Sequence, residues 1–462
     1  MKRASINISD LFDLPGAVIY NPDEFKSCGS VSIDSRTIKK NTLFVAIKGQ
    51  NFDGHNFVEQ AVKSGANAVV IDSRNLKKFK GINITIITVP DTIKAYGQIA
   101  NIWRRKLGAK IISITGSNGK NTTKDILAEL LQSKYKVVKT ISNNNNHIGV
   151  PLTILSAKSG TEVIVLEHGT NHFGEIEYTS EIAKPDIAII TNIGESHLEF
   201  LIDKSGVYNE KAKLFDACIA NNGTVVINSD DPIIKKNLKK NTKKISYGSN
   251  GNPDYKGKIL RYNDYGQLVL EITSGEKSNE FVLPLYGKSN AQNFLAAYTI
   301  ADMMGVSKTA IQKVTKKITS PKGRLNLFVF NNSLLVDDTY NSNPVSVKAA
   351  IDVIKNIKVY NHSLLILGDM FELGERAIEF HKHLAEDVKN IKRVRVATIG
   401  KLMKNLADEL QKNNIDSVHF NTKKQLEKFL LATDLTNYKI LVKGSRGMKM
   451  EQFVELIKTK AA

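Results

Sequence analysis

The chain has 462 residues, 42% hydrophobic and 24% charged, a length that predicts two to four domains. Its two cysteines, Cys28 and Cys218, are too few for a disulfide framework, and the N-terminus lacks the apolar segment of a secretory signal. No window has the run of apolar residues needed to cross a bilayer, so we expect a soluble, cytoplasmic protein without membrane insertion.

The formal net charge of +19 raises the question of a nucleic-acid partner. The lysines, however, are scattered over KNLKKNTKK, RNLKKFK, KVTKKITSPKGR and many single sites, without aromatic residues gathered among them. We therefore expect a solvated basic surface and no nucleic acid, with some help in attracting anionic nucleotides.

Residues 1–108 form a first block of short strands and helical segments. TLFVAI has the composition of a strand, and NFVEQAVKSGANAVVI has the pattern of a helix, a glycine stop and a buried strand. Beside them lie two polar segments, DSR at 34–36 and FDGHNF at 52–57, which composition alone marks as ordinary turns.

Residues 109–318 form a second block with βαβ order. The strand AKIISITG is followed by the helical TTKDILAELLQSK and then by YKVVKT, TEVIVLEHG and DIAIITNIG. This order is typical of a mostly parallel sheet, whose functional residues lie at the carboxyl ends of the strands.

Residues 319–462 alternate in the same way. SLLVDDTYNSNP precedes a helix through VSVKAAIDVIKNI, and SLLILGD, VRVATIG and YKILVKGSRG follow as strands. A second doubly wound unit is the expected structure.

The segment SITGSNGKNTTKDI joins a strand to a helix through a glycine-rich turn. Backbone N–H groups and the helix N-terminus at such a turn converge on phosphate oxygens, and Lys120 would reach the terminal phosphates. The spacing is shorter than the general phosphate-loop pattern, so a turn that only packs is the alternative. Asn121 stands where Ser or Thr normally contacts magnesium.

Glu167 and His197 lie at the ends of two strands in the same block. Each alone is more often a structural polar residue. Together, near a phosphate loop, they suit a magnesium ion that is bound with nucleotide phosphates, although histidine is an uncommon magnesium ligand.

A series of ordered motifs resembles the ATP-dependent Mur ligases, and within that family the MurF type. They are TGSNGK, NNNNHIGVPLTIL, EHGTN followed by GEI, TNIGESHLE, GKSNAQN, GR, DDTYNSNP, LGDMFELG and LVKGSRGMKME. The resemblance spans nearly the whole chain, and DDTYNSNP and LGDMFELG separate this type from its sister ligases.

The resemblance implies an α/β fold of three domains: a small N-terminal domain that binds a UDP precursor, a central mostly parallel-sheet P-loop ATPase domain, and a Rossmann-like C-terminal domain. It implies ATP and Mg²⁺ as cofactors. The implied reaction joins D-Ala-D-Ala to UDP-MurNAc-tripeptide through an acyl phosphate, in a monomeric enzyme of peptidoglycan precursor synthesis.

The resemblance also assigns residues. Lys120, Lys211 and His197 would be catalytic, with Lys211 carbamylated, and Asn121, Glu167, His197 and Lys211 would hold metal. The positions implied for ATP are Gly116, Ser117, Asn118, Gly119, Lys120, Asn121, Thr122, Asn290, Asn293, Arg324, Asp338, Tyr340 and Asn341, with Lys443, Ser445 and Arg446 as further contacts. Those implied for the other substrates are Ser35, Arg36, Asp53, Gly54, His55 and Asn343.

The chain departs from the family pattern in four places: Asn121 for Thr, His168-Gly169-Thr170 for Met-Gly-Ala, Lys213 for an acidic residue and Ser289 for His. Asn121 and Lys213 are expected close to metal and phosphate. A catalytically impaired homologue that only binds nucleotide or precursor is therefore the alternative. A ligase of another amine and a nucleic-acid binder are more distant hypotheses.

Overall fold

The computed structural model describes residues 5–49, 51–194, 198–239 and 242–461. The chain divides into two compact units, residues 1–254 with 296–307, and residues 255–295 with 308–462. Among the described helices, none combines the length and apolar character needed to cross a membrane.

The first unit begins with a small α/β layer. Its elements are α1 Ile8–Phe12, β1 Val18–Tyr20, β2 Ser30–Ser32, β3 Thr42–Val45, α2 Val58–Lys63, β4 Ala66–Asp72, β5 Thr85–Val89 and α3 Thr92–Leu107. The strand order is β1-β5-β4-β3-β2, in which only β1 is antiparallel to its neighbour. The predicted strand TLFVAI and the predicted helix–glycine–strand segment are both confirmed.

A parallel sheet makes up the rest of the first unit. Its elements are β6 Lys110–Thr115, α4 Lys120–Gln132, β7 Val137–Lys139, α5 Gly149–Ser156, β8 Val163–Glu167, α6 Glu175–Ala183, β9 Ile187–Ile190, α7 Leu198–Leu201, α8 Lys204–Ala220, β10 Thr224–Asn228, α9 Pro232–Asn237 and β11 Lys244–Gly248. The strand order is β11-β10-β9-β6-β8-β7, with every pairing parallel. The carboxyl ends of β6, β8 and β9 therefore share one edge, as the βαβ order predicts.

The second unit opens with an antiparallel meander that the sequence pattern did not indicate. Its strands are β12 Tyr255–Tyr262, β13 Leu268–Ser274 and β14 Lys277–Val282. Helix α10, Lys288–Met303, follows, and its last two turns belong to the first unit.

The rest of the second unit is a doubly wound sheet, as predicted. Its elements are α11 Lys308–Thr315, β15 Asn326–Phe330, β16 Ser333–Asp338, α12 Pro344–Asn356, β17 His362–Gly368, α13 Ala377–Val388, β18 Val394–Ile399, α14 Lys404–Lys412, β19 Ser417–Phe420, α15 Lys423–Ala432, β20 Tyr438–Lys443 and α16 Glu451–Ala461. The strand order is β15-β16-β20-β17-β18-β19, and only β15 runs antiparallel. Separate buried apolar clusters cover the two faces of this sheet.

Candidate active site

The turn after β6 depends on glycine at two points. Gly116 has a φ of 146°, and a Cβ there would lie 2.0 Å from Thr191 Oγ1, so no side chain fits. Gly119, at the N-cap of α4, has a φ of 82°. Both conformations favour glycine, which is the residue type that the phosphate-loop prediction places at this turn.

The loop is fixed to the residues that follow β9. The Ser117 hydroxyl accepts from the Gly194 N–H at 2.9 Å, and the Asn118 N–H donates to Asn192 Oδ1 at 3.0 Å. Thr191 Oγ1 donates to the Asn118 carbonyl at 2.6 Å. These bonds tie the loop to the end of β9 and hold its shape.

Lys120 is the first residue of α4, and its side chain folds back over the loop. Its Nζ donates to the Gly116 carbonyl at 2.7 Å. Thr122, two residues after Lys120, is buried in the first turn of the helix. A phosphate group placed at this loop would give the Lys120 ammonium a more strongly charged partner than a carbonyl.

Lys211 lies in α8 and is only 1% exposed, although a helical lysine is normally in solvent. Burial, together with the nearby Lys120 ammonium, lowers the pKa of Lys211 to about 7, while Glu210 opposes the shift. Burial therefore favours the neutral amine, which is the form that reacts with carbon dioxide.

Glu210, the neighbour of Lys211, anchors the start of α6. Its Oε2 accepts from the Gly174 N–H at 2.8 Å, and its Oε1 accepts from the Ile176 N–H at 2.8 Å. This pairing joins α8 to the loop after β8. It fixes the position of Lys211 on α8 through its neighbour, so the Lys211 amine takes no part in it.

Glu167 is the last residue of β8 and is 3% exposed. Its Oε1 accepts from Asn145 Nδ2 at 2.8 Å. Its Oε2 is buried and has no hydrogen-bond partner among the described residues. An open, buried carboxylate oxygen is a hard ligand that suits Mg²⁺, so Glu167 fits the implied metal.

Asn121 makes a contact that the sequence did not indicate. Its Oδ1 accepts from Lys124 Nζ at 2.7 Å, and Lys124 Nζ lies 3.9 Å from Glu167 Oε2. Lys124 is 1% exposed, and burial lowers its pKa despite Asp125 and Glu167. The only indication of this contact in the sequence is that Asn121 and Lys124 are one helical turn apart, where side chains lie on the same face of a helix.

Two further site predictions in this unit concern His197 and Lys213. His197 lies outside the described residues, so its predicted metal role stays a prediction. Lys213 was expected near metal and phosphate, but its side chain is 41% exposed and pairs with Glu177 at 2.9 Å on the surface. Residues 211 and 213 point to different faces because each helical step turns the chain by about 100°.

His168 is a buried structural residue. Its Nδ1 lies 2.9 Å from Thr179 Oγ1, and its Nε2 lies 2.9 Å from Ser113 Oγ. Burial lowers its pKa to about 3. The departure at 168 therefore adds a neutral hydrogen-bonded bridge between β6 and α6.

In the second unit, a buried ion pair holds the DDTYNSNP loop. Lys443 Nζ, at the end of β20, lies 2.6 Å from Asp338 Oδ2 and donates to the Asn341 carbonyl at 3.0 Å. The Leu325 N–H donates to Asp338 Oδ1 at 3.2 Å. Asp338 and Asn341 thus form one cluster with Lys443.

Two arginines flank the ring of Tyr340. The Arg324 guanidinium carbon lies 4.3 Å from the ring centroid, and that of Arg446 lies at 5.8 Å. Asn343 caps α12, since its Oδ1 accepts from the Ser346 N–H at 2.8 Å. The helix N-terminus and the two cations make this surface attractive to an anion.

Asn290 and Asn293 lie in the first turns of α10. Asn290 Nδ2 donates to the Tyr286 carbonyl at 2.8 Å, and Asn293 Nδ2 donates to Asn290 Oδ1 at 3.2 Å. The two amides form a pair, with Ser289 beside them along the chain.

The N-terminal residues form two separate turns. Arg36 is exposed and its guanidinium bonds Asp34, whose pKa it lowers to about 2, while the Ser35 hydroxyl donates to Gln60 Oε1 at 3.2 Å. Asp53 Oδ1 lies 2.6 Å from His55 Nδ1, and the Asp72 N–H donates to His55 Nε2 at 3.0 Å.

Both ring nitrogens of His55 are therefore used inside the domain. Gly54 lies against the backbone of Ile47, and a Cβ there would be 2.8 Å from the Ile47 nitrogen. Contacts within the domain thus hold the Asp53–His55 turn, and Arg36 is the exposed cation of this group.

Comparison with known proteins matches three family models in order along the chain. They are the Mur ligase family catalytic domain at residues 28–104, the Mur ligase middle domain at 114–301 and the Mur ligase glutamate ligase domain at 323–446. Each of the three models lies within one of the sequence blocks 1–108, 109–318 and 319–462.

The whole chain is also similar to individual proteins. The UDP-N-acetylmuramoyl-tripeptide–D-alanyl-D-alanine ligase of Bacillus subtilis is 34% identical over 98% of both chains. A crystal structure of MurF from Acinetobacter baumannii has a TM-score of 0.84, with 28% identity and coverage of 99% of this chain and 100% of that one.

A third relative carries a nucleotide. The MurF ligase of Thermotoga maritima, solved in complex with ADP, has a TM-score of 0.80 and 26% identity, with coverage of 94% of this chain and 97% of that one. The predicted three-domain α/β architecture and the predicted family are both confirmed. The chain belongs to the Mur ligase family, within its MurF type.

Proposed function

We propose that this chain is an ATP-dependent ligase that joins D-Ala-D-Ala to UDP-MurNAc-tripeptide in peptidoglycan precursor synthesis. The observation that carries the proposal is the 34% identity over 98% of both chains with the Bacillus subtilis ligase of that name. The comparisons give no support to the catalytically impaired alternative.

The reaction is an acyl transfer through a mixed anhydride. The terminal carboxylate of the tripeptide attacks the ATP γ-phosphorus, releasing ADP and forming an acyl phosphate. The amine of D-Ala-D-Ala then attacks the carbonyl carbon, the C–O bond to phosphate breaks, and the amine proton leaves with a base. The products are an amide, ADP and inorganic phosphate.

The P-loop supplies the phosphate site in this proposal. Gly116, Ser117, Asn118 and Gly119 present backbone groups, and Lys120 exchanges the Gly116 carbonyl for a phosphate oxygen. Stabilisation of transferring charge by fixed donors and a nearby lysine is the main catalytic device of such sites.

Mg²⁺ is the proposed metal. The open oxygen of Glu167, a carbamylated Lys211 and His197 are the residues that would hold it, with Asn121 as a further oxygen ligand. When bound, the metal would neutralise phosphate charge. The neutral form of buried Lys211 supports the carbamate, because only a free amine adds carbon dioxide.

The remaining sites are assigned by the same resemblance. Asn290 and Asn293 are proposed near the adenine, with Thr122 in the phosphate loop. Arg324, Asp338, Tyr340 and Asn341 are proposed to complete the ATP site, with Lys443, Ser445 and Arg446 around them. Ser35, Arg36, Asp53, Gly54, His55 and Asn343 are proposed for the UDP precursor and the peptide substrates.

Three broader properties belong to the same proposal. The domain boundaries are set at 1–108, 109–318 and 319–462. The enzyme is proposed to act as a monomer in the cytoplasm, where ATP is available. Two buried cysteines without a disulfide support a reducing compartment.

Phosphate release tests the function directly. Purified protein is given ATP, Mg²⁺, D-Ala-D-Ala and UDP-MurNAc-tripeptide carrying either lysine or diaminopimelate as its third residue. We expect release that needs both substrates and is lost in K120M but kept in the control K134M, whose lysine lies beyond the far end of α4. ATP binding without any release would instead support the impaired homologue, and release with a different amine would support another ligase specificity.

A further inference from the structure

Lys124 is a buried cation placed between two of the proposed metal ligands. Its side chain is 1% exposed, its Nζ donates to Asn121 Oδ1 at 2.7 Å, and it lies 3.9 Å from Glu167 Oε2. That Glu167 oxygen has no hydrogen-bond partner among the described residues, and the Lys124 ammonium forms an ion pair with it.

The same two oxygens are those that the proposed function offers to Mg²⁺. A magnesium ion binds oxygen at about 2.1 Å and an ammonium group at about 2.8 Å, so both cations on Asn121 Oδ1 would be close neighbours. Like charges at that separation repel strongly in a buried site. Occupation by one cation therefore opposes occupation by the other.

We propose that Lys124 is a positioning residue that serves as a resident cation between Asn121 and Glu167, and that it weakens divalent-metal binding until nucleotide phosphates arrive. This inference rests on the proposed function, whose metal site it concerns. The metal that enters with ATP carries phosphate ligands, whose negative charge offsets the repulsion from the ammonium.

Two other hydrogen-bond acceptors lie near the Lys124 ammonium. Asp125 Oδ1 lies 3.5 Å from Lys124 Nζ, and the Ser142 carbonyl also lies at 3.5 Å. A small rotation of the side chain can therefore exchange the Asn121 oxygen for these acceptors. Asn121, which is altered from the usual Thr, holds the ammonium in the inner position.

Manganese binding without nucleotide isolates this role. Free Mn²⁺ is measured by electron paramagnetic resonance with the full chain and with K124M, which has nearly the same length but no charge. We expect K124M to bind Mn²⁺ about tenfold more tightly, within the range of typical coupling between ligands. K124R keeps the charge and should retain the parent affinity.

A matched control separates this effect from general loss of positive charge. Lys139 pairs with the same Asp125 at 2.7 Å and is 31% exposed, so K139M should change Mn²⁺ affinity less than about twofold. In the double variant K124M/E167Q, the affinity for Mn²⁺ should be no higher than in E167Q alone. The reason is that residue 167, whose negative charge Lys124 screens, is then neutral.

An equal or weaker Mn²⁺ affinity in a folded K124M would overturn the proposal, as would a gain that survives E167Q. If K124M does not fold, K124Q removes the charge while keeping an N–H group for Asn121, and the same outcomes apply. Because no substrate is present, these results are separate from ligation. A protein that ligates but shows no K124M effect keeps the proposed function and loses only this inference.

Discussion

Burial of the Lys211 side chain changes the acid–base chemistry of its amine. The sequence alone favours an exposed helical lysine at this position, and only the family resemblance suggested otherwise. In the structure the residue is buried beside Lys120, and its pKa falls to about 7. Two residues further on, Lys213 is exposed and its pKa is raised by Glu177.

Carbamylation of Lys211 is therefore testable as a pH-dependent modification. Raising the pH through about 7 increases the neutral amine, so ¹³C-bicarbonate should produce a carbamate NMR signal that grows between pH 6 and 8. We expect the signal to be lost in K211R and kept in K213M. A signal that appears only near the pKa of an ordinary lysine, about 10, would contradict this account.

At the residue scale, the contact between Asn121 and Lys124 could not be predicted from the sequence. The sequence showed that residue 121 departs from the motif, but it did not show where the amide points. The answer depends on the side chain one turn later, which becomes visible only when the helix and its buried face are known. The structure pairs the Asn121 amide oxygen with the Lys124 ammonium.

At the scale of elements, β6 and α6 are joined through the imidazole of His168. The folded pKa of about 3 lies below the ordinary value of 6.5, so the unfolded chain takes up a proton first as the pH falls. The folded state is thus increasingly destabilised from about pH 6.5 downwards. By pH 5 the loss from this one residue is about 2 kcal/mol.

Thermal unfolding of H168M tests this linkage. Between pH 7.5 and 5, its melting temperature should fall less than that of the parent chain, whatever its starting value. The exposed His383, 68% accessible, provides the control, since H383M should keep the parent slope. Parallel curves for H168M and the parent would show that His168 is not the group responsible.

The Asp338–Lys443 pair joins the carboxyl ends of β16 and β20. Removing one partner of a buried ion pair leaves the other charge unsatisfied, which typically costs about 3–5 kcal/mol. We expect K443M to increase hydrogen exchange in the peptide covering residues 333–346. The double variant D338N/K443M should recover part of that protection, and equal protection in K443M and the parent would refute the role given to the pair.

Most elements could be predicted because their strands are continuous apolar, β-branched runs. β6, β8 and β9 are buried on both faces, and such runs stand out in a sequence. The meander β12–β14 was missed because only part of each strand is buried, as in KSNEFV of β14, so its pattern resembles a polar loop. Tertiary pairing, and not local preference, determines these strands.

At the scale of the whole molecule, the order of motifs carried more information than any one of them. SITGSNGKNTTKDI alone is a short phosphate loop with one altered residue, whereas the complete series identified the family. The chemistry of the site required the structure, because the burial of Lys211 and Lys124 and the open oxygen of Glu167 come from residues far apart in sequence.

The central claim, ligation through an acyl phosphate, is tested most directly by following oxygen. UDP-MurNAc-tripeptide labelled with ¹⁸O in its terminal carboxylate is incubated with the protein, ATP, Mg²⁺ and D-Ala-D-Ala, and the released phosphate is analysed by mass spectrometry. The account predicts one ¹⁸O atom in each phosphate and an amide product in equal amount. Phosphate released without ¹⁸O, or released without amide formation, would contradict it.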